Sequence, residues 1–168
     1  MVINTNRKLL PPAYFQICLI FEIISHFLFP VAKIISKPLN YFGILMIFFG
    51  LGLNIWADSL FKKRKTTVKP FEKPSVLVTD GPFLISRHPM YLGFVLILLG
   101  LAIFLGSLTS FVSPIIMLFI LSRLFIPEEE ESLEQSFGKK YRKYKNRVRC
   151  WLGLYRNISL TECDFPFL

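Results

Sequence analysis

Two runs of this sequence combine residue types suited to chemistry. The first is Arg87-His88-Pro89-Met90-Tyr91-Leu92-Gly93. Pro89 suits the first turn of a helix, where its missing N–H is one of the groups left unbonded anyway. A helix starting there holds Arg87 and His88 beside its exposed N–H groups and the positive end of its dipole, which favours an anion. A carboxylate or phosphate is the expected ligand; the alternative is that Arg87 snorkels to lipid head groups and His88 is an interfacial side chain. The second run is Glu128-Glu129-Glu130-Glu131. Its structural explanation is that acidic residues favour a helix start. Ionised carboxylates also accept hydrogen bonds from hydroxyl and amine donors. Upstream of both, Val76-Leu77-Val78 followed by Asp80-Gly81-Pro82 reads as a short extended segment closed by a turn. No CxxC pair or His/Cys cluster has zinc spacing, so no metal is expected. Three cysteines divided between an apolar stretch and the tail give no disulfide framework.

The elements that must position these runs are apolar. Of 168 residues, 53% are hydrophobic and 18% charged, yet the net charge is +9. A soluble domain carries about 25% charged residues, so greasy and basic residues must be segregated along this chain. Disorder, a disulfide-stapled secreted scaffold and a typical cytosolic enzyme are excluded, which leaves an integral membrane protein. Four stretches, about 13–32, 39–61, 90–106 and 108–126, approach the roughly 20 apolar residues that span a bilayer core. Only Gly106-Ser107 divides the last two, which are expected to form a tight hairpin. The expectation is a single all-α membrane domain (1–168), a polytopic bundle of about four spans. Segments 75–93 and 127–148 then share one side.

Basic residues orient the bundle. Lys33 and Lys37 lie on one side of the spans and 17 basic residues on the other. Basic loops stay inside, so both termini and both chemistry-bearing segments are expected to be cytoplasmic. The run Lys62-Lys63-Arg64-Lys65 abuts a span and reads as a stop-transfer cluster at anionic head groups, not as a nucleic-acid site. After the acidic run, Leu133, Phe137, Tyr141, Tyr144 and Val148 recur at helical spacing among Lys139, Lys140, Arg142, Lys143, Lys145 and Arg147. That pattern predicts a C-terminal amphipathic helix on the membrane or the bundle, with Gly138 as a kink or break. Glu22 and His26 share a face of the first span, as a functional pair or one bonded to itself. Gly43, Gly50 and Gly52 are expected to admit a close helix in the second span.

The order Leu77-Val78-Thr79-x-Gly81, Arg87-His88-Pro89-x-Tyr91-x-Gly93, Glu129-Glu130-x-x-Leu133-x-x-x-Phe137-Gly138-x-x-Tyr141-x-x-Tyr144 and Arg147-Val148 resembles the isoprenylcysteine carboxyl methyltransferases. It is also similar to the related phospholipid methyltransferase-like membrane enzymes. The resemblance implies an S-adenosylmethionine-dependent methyltransferase acting at the cytoplasmic membrane face on a lipophilic or prenylated acceptor. It implies cofactor binding by Ser75, Val76, Leu77, Val78, Phe83, His88, Pro89, Met90, Tyr91 and Glu129. Arg87, Arg123 and Glu130 are the candidate catalytic residues. Chemically, the cofactor's carboxylate needs a cation or N–H groups, which Arg87, His88 and the helix start offer. Its ribose hydroxyls and adenine amine need acceptors, which Glu129 or Glu130 offers. Its sulfonium is attracted to aromatic faces such as Phe83 and Tyr91.

Three positions depart from the family pattern. Ser75 stands where His is frequent and Phe83 where Tyr is frequent. The family's arginine four residues before the Glu-Glu pair is Phe125 here, and the nearest arginine is Arg123. Arg123 serves as substrate anchor only if Pro127 or a local bulge resets the helical register. Two other readings compete with methyl transfer. One is an NADPH-dependent membrane reductase of sterol-reductase type; the other is a non-enzymatic helical scaffold or transporter centred on Glu22 and His26.

Overall fold

The computed structural model describes residues 9–28, 32–64 and 76–152. Ser75 therefore lies outside the described residues. Helix α1 runs Pro11–Leu28 and α2 Phe42–Lys63, the latter led by a 3₁₀ turn at Leu39–Tyr41. Helix α3, Pro89–Leu105, opens on Pro89 in its first turn. It closes at Gly106, whose left-handed φ of +68° suits a residue without Cβ. The apolar sequence then folds back as expected, through a 3₁₀ turn at Leu108–Phe111 into α4, Val112–Ile120. The far end of this hairpin is tied down by Ile34 N–H donating to Gly106 O (2.8 Å) and Leu108 N–H to Ala32 O (3.0 Å).

Beyond α4 the helix does not stop. A π turn at Leu121–Phe125 leads directly into α5, Ile126–Phe137, and after Gly138 comes the short α6, Lys139–Lys145. Pro127 has no N–H for the carbonyl of Arg123 four residues back, and the wider turn accommodates that loss. The Ile126 N–H reaches Leu121 O, five residues back. The continuous helical run Leu108–Phe137 is 30 residues long, more than a bilayer core needs. Its apolar part ends at Ile126, so α5 carries its carboxylates beyond the span. Gly138, with φ +49°, breaks the amphipathic helix where its low propensity suggested, and the chain turns back toward the bundle.

Three helical runs, Pro11–Leu28, Leu39–Lys63 and Leu108–Phe137, are long and apolar enough to cross a membrane, and α3 is a shorter apolar helix. Phe21, Phe48, Phe49, Ile55, Ile115 and Phe119 are all exposed. So much apolar surface is incompatible with water and suits a lipid-facing belt. Inside the belt, α2 and α3 approach closely. A Cβ on Gly50 would stand 2.7 Å from the carbonyl oxygen of Gly93, and Gly43 faces Gly100 in the same way. Gly52 departs from expectation, because it faces open space. The Glu22–His26 pair is also not made. Glu22 is fully buried beside Cys18, and among the described residues both its oxygens lack a hydrogen-bond partner, as does Nδ1 of His26. Ser113 Oγ donates to Cys18 O (2.8 Å), pinning α4 to α1.

Gly50→Ala is expected to lower stability by about 1–3 kcal/mol, because the methyl group meets backbone. Gly52→Ala adds its methyl to open space and removes a glycine from a helix, a gain of up to ~1 kcal/mol. Thermal unfolding of the two variants in detergent checks the contrast.

Candidate active site

The mouth of α3 is held by Arg149 and Cys150, which follow α6. Ser86 Oγ donates to Cys150 O (2.9 Å) and accepts the His88 N–H (3.1 Å), while Arg87 N–H donates to Arg149 O (3.1 Å). One turn of α6 adds a second fastening, since the Tyr144 hydroxyl donates to Phe83 O (2.7 Å). Phe83 lies in a 3₁₀ turn at Gly81–Leu84, and Arg64 at the end of α2 anchors this turn through Asp80 (2.7 Å). The segment before α3 is thus clamped between α2 and the tail. Without that clamp, the polar residues at the mouth would have no fixed orientation.

The clamp brings Arg87, His88, Glu129, Glu130 and Lys145 together. Arg87 Nη2 lies 3.0 Å from Glu130 Oε1, Lys145 Nζ 2.9 Å from Glu130 Oε2, and His88 Nε2 3.4 Å from Glu130 Oε1. The side chains of Glu130 and Arg87 are only 8% and 5% exposed. His88 Nδ1 turns the other way, 3.4 Å from Glu129 Oε2, and Glu129 is 36% exposed at the rim. The Tyr91 ring stacks on the imidazole with centroids 5.6 Å apart and planes 7° from parallel. Burial alone would drive a proton from His88, but hydrogen bonds and charge from Glu129 and Glu130 prevail and raise its pKa to about 9. Burial would likewise favour neutral Glu130, yet His88, Arg87 and Lys145 hold its pKa down at about 2. At neutral pH His88 is therefore protonated and Glu130 ionised.

An apolar wall adjoins the ions. Ala57, Val78, Phe83, Tyr141, Tyr144 and Val148 form one buried group, with Leu77, Met90, Leu133 and Phe137 packed against it. The stripe read from the tail sequence therefore faces the bundle. Among the residues singled out from the sequence, Val78, Phe83, Pro89 and Tyr91 are buried, Leu77 and Met90 half-buried and Val76 exposed. Arg87 and Glu130 meet each other, so the guanidinium neutralises a protein carboxylate and Glu130 is enclosed by cations. Of the adjacent pair Glu129 and Glu130, Glu129 is the one at the rim. Arg123 stands apart, exposed, with its guanidinium 5.8 Å from the Phe119 ring centroid. The π turn supplies a register shift of the kind the sequence required, but among the described contacts Arg123 does not join the cluster.

Two participants were missed. The sequence pattern gives Lys145 no part beyond the basic surroundings of the apolar stripe, although it lies one turn from Tyr141 on the same helix. Tyr141, part of both the apolar stripe and the family motif, is fully buried and its hydroxyl has no hydrogen-bond partner among the described residues. Donor atoms of His88, Glu130 and Cys150 lie within 4.8 Å of one another. They do not make a metal site, since Glu130 is already saturated by cations and Cys150 is disulfide-bonded. That disulfide corrects the expectation of none; Cys18 is free.

Fold and site together define a polytopic helical membrane protein with a buried carboxylate–cation cluster where its spans end. Residues 39–140 match the phospholipid methyltransferase family, and the chain belongs to that family. The protein-S-isoprenylcysteine O-methyltransferase of Saccharomyces cerevisiae is 32% identical over 75% of this chain and 56% of its own length. Protein-S-isoprenylcysteine O-methyltransferase B of Arabidopsis thaliana is 27% identical over 86% of this chain and 76% of its own length. The solved structure of a eukaryotic intramembrane Ras methyltransferase, isoprenylcysteine carboxyl methyltransferase, superposes with a TM-score of 0.62 at 27% identity. That match covers 89% of this chain and 53% of the solved one. The chain thus spans little more than half the length of the yeast relative and the solved structure.

Glu130→Gln leaves buried cations without their counter-charge and is expected to cost about 3–5 kcal/mol. The pH dependence has two limbs. His88, raised from 6.5 to about 9 by folding, contributes stability that is complete below 6.5 and lost as pH rises through about 9. Glu130, lowered from 4.5 to about 2, contributes stability that is complete above 4.5 and lost as pH falls toward about 2. Melting temperature is therefore expected to be highest between pH 4.5 and 6.5 and to decline on both sides. His88→Asn should flatten the alkaline decline.

Proposed function

We propose that this chain is an S-adenosylmethionine-dependent methyltransferase acting on a lipophilic acceptor at the cytoplasmic membrane face. The observation that carries the reading is one juxtaposition. Ionised His88 at the start of α3 and the rim carboxylate of Glu129 adjoin the buried apolar wall of Val78 and Phe83, where two spans leave the bilayer.

The residues fit the proposed cofactor. His88, charged at neutral pH and seated at a helix N-terminus, suits the cofactor's carboxylate. Glu129, partly exposed, is the acceptor available to ribose hydroxyls, while Glu130 already holds three cationic partners. Phe83 and Tyr91 offer aromatic faces to a sulfonium. Arg87 and Lys145 act through Glu130, which fixes the orientation of His88. When bound, the cofactor supplies an electrophilic methyl group on a positively charged sulfur. A carboxylate acceptor would take that methyl group without any proton for this chain's residues to move. The protein's tasks are then to align acceptor and donor and to exclude water.

An isoprenylated cysteine carboxylate is the proposed acceptor, from the names of the relatives. A lipid-borne group enters sideways from the bilayer, while the charged cofactor enters from the aqueous side. The family membership and these relatives support methyl transfer over the reductase and scaffold readings. The basic segments flanking the third and fourth spans support a cytoplasmic site and cytoplasmic termini.

Calorimetric titration of the purified protein in detergent tests the reading. S-adenosylmethionine is expected to bind at micromolar to sub-millimolar concentration and NADPH not to bind. His88→Ala and Glu129→Ala should each weaken binding about tenfold or more, the equivalent of ~1.4 kcal/mol. Transfer of labelled methyl to a farnesylated cysteine analogue, with a phospholipid amine as comparison, identifies the acceptor. Absence of S-adenosylmethionine binding by the wild type would overturn the proposal.

A further inference from the structure

Four apolar-face residues of the tail, Leu133, Phe137, Tyr141 and Tyr144, follow one another at helical spacing and pack into the same buried group. Tyr141 is the deepest of them, with no exposed surface. Its ring fills space that a phenylalanine would fill equally well, as Phe137 does one turn earlier. What a phenylalanine lacks is the hydroxyl, and the Tyr141 hydroxyl has no hydrogen-bond partner among the described residues. A buried hydroxyl without a partner costs free energy and finds one in most proteins. The neighbouring Tyr144 follows that rule, donating to Phe83 O. Tyr141 breaks it.

The surroundings say what the missing partner is. On the apolar side Tyr141 shares its group with Val78 and Phe83, and Met90 packs on that group. On the polar side it feels the charges of Glu130, Arg87 and Glu129. The hydroxyl therefore stands at the seam between the ion cluster and the apolar wall. Burial, with Glu130 adding to it, raises the phenol's pKa further above its usual value, so it remains a neutral O–H donor at physiological pH. Every cationic partner of Glu130 contributes a donor already in use there. The Tyr141 O–H is a donor still to be used.

We propose that Tyr141 is a further cofactor-binding residue, whose hydroxyl donates a hydrogen bond to an acceptor atom of bound S-adenosylmethionine. The proposal rests on the methyltransferase reading above. It gives a role to a fully buried hydroxyl that has no hydrogen-bond partner among the described residues.

Tyr141→Phe and Tyr144→Phe, made in the full chain, separate the roles. Each is measured for melting temperature without ligand and for S-adenosylmethionine affinity by calorimetry. Tyr141→Phe is expected to melt at or above the wild-type temperature without ligand and to bind S-adenosylmethionine about tenfold more weakly, as loss of one hydrogen bond predicts. Tyr144→Phe loses an internal bond and is expected to melt lower. Wild-type affinity in Tyr141→Phe overturns the proposal, and so does a lowered melting temperature without ligand, which would reveal a partner inside the protein. If the wild type itself binds no S-adenosylmethionine, the methyltransferase reading falls and this proposal with it. If the wild type binds and Tyr141→Phe binds equally, only the role of Tyr141 falls.

Discussion

The ionised carboxylate of Glu130 is the constraint on which the site depends. A charge removed from water is tolerable only when opposite charges and hydrogen bonds replace the solvent. Here they come from two distant parts of the chain: Arg87 and His88 at the mouth of α3, and Lys145 on α6. The carboxylate therefore does more than lower the energy of its neighbours. It requires α5, α6 and the segment before α3 to converge, because no one of them carries enough charge to bury Glu130 alone. The tail's backbone contacts to Arg87 and Ser86 follow the same path.

Convergence at that end relies on helices whose lengths and registers differ. The glycine contacts bring α2 and α3 together inside the apolar belt, where no water drives association and close packing must suffice. The π turn in the fourth span lets a helix carrying Pro127 continue unbroken into the aqueous layer. One rigid rod thus delivers Glu129 and Glu130 to the mouth of α3. The two adjacent carboxylates then project differently. Glu130 turns inward to the cations, and Glu129 stays at the rim within reach of His88.

Much of this was legible in the residues. The apolar stretches gave the long helices to within a few residues, since an apolar run of that length satisfies its backbone as a helix. Pro89 marked the start of α3, Gly106 the hairpin and Gly138 the break in the tail, each through backbone geometry that local sequence dictates. Periodicity correctly gathered Leu133, Phe137, Tyr141, Tyr144 and Val148 on one face. It could not say that the face meets the bundle and not the membrane. For the same reason the approach of Lys145 to Glu130 is not legible in the pattern, and Glu22 and His26 share a face without sharing a hydrogen bond.

The sequence by itself determined the membrane class, the hairpin, the helix boundaries and the motif that links this chain to its family. These depend on interactions within a few residues of one another or on the length of an apolar run. Only the tertiary structure decided which carboxylate of the acidic run is enclosed and that Arg87 is turned onto a protein carboxylate. It also decided that Lys145 completes the cluster and that the Tyr141 hydroxyl is left without a partner among the described residues. Those outcomes depend on what faces each helix across a gap. A pattern of residues along one chain records the face but not the partner.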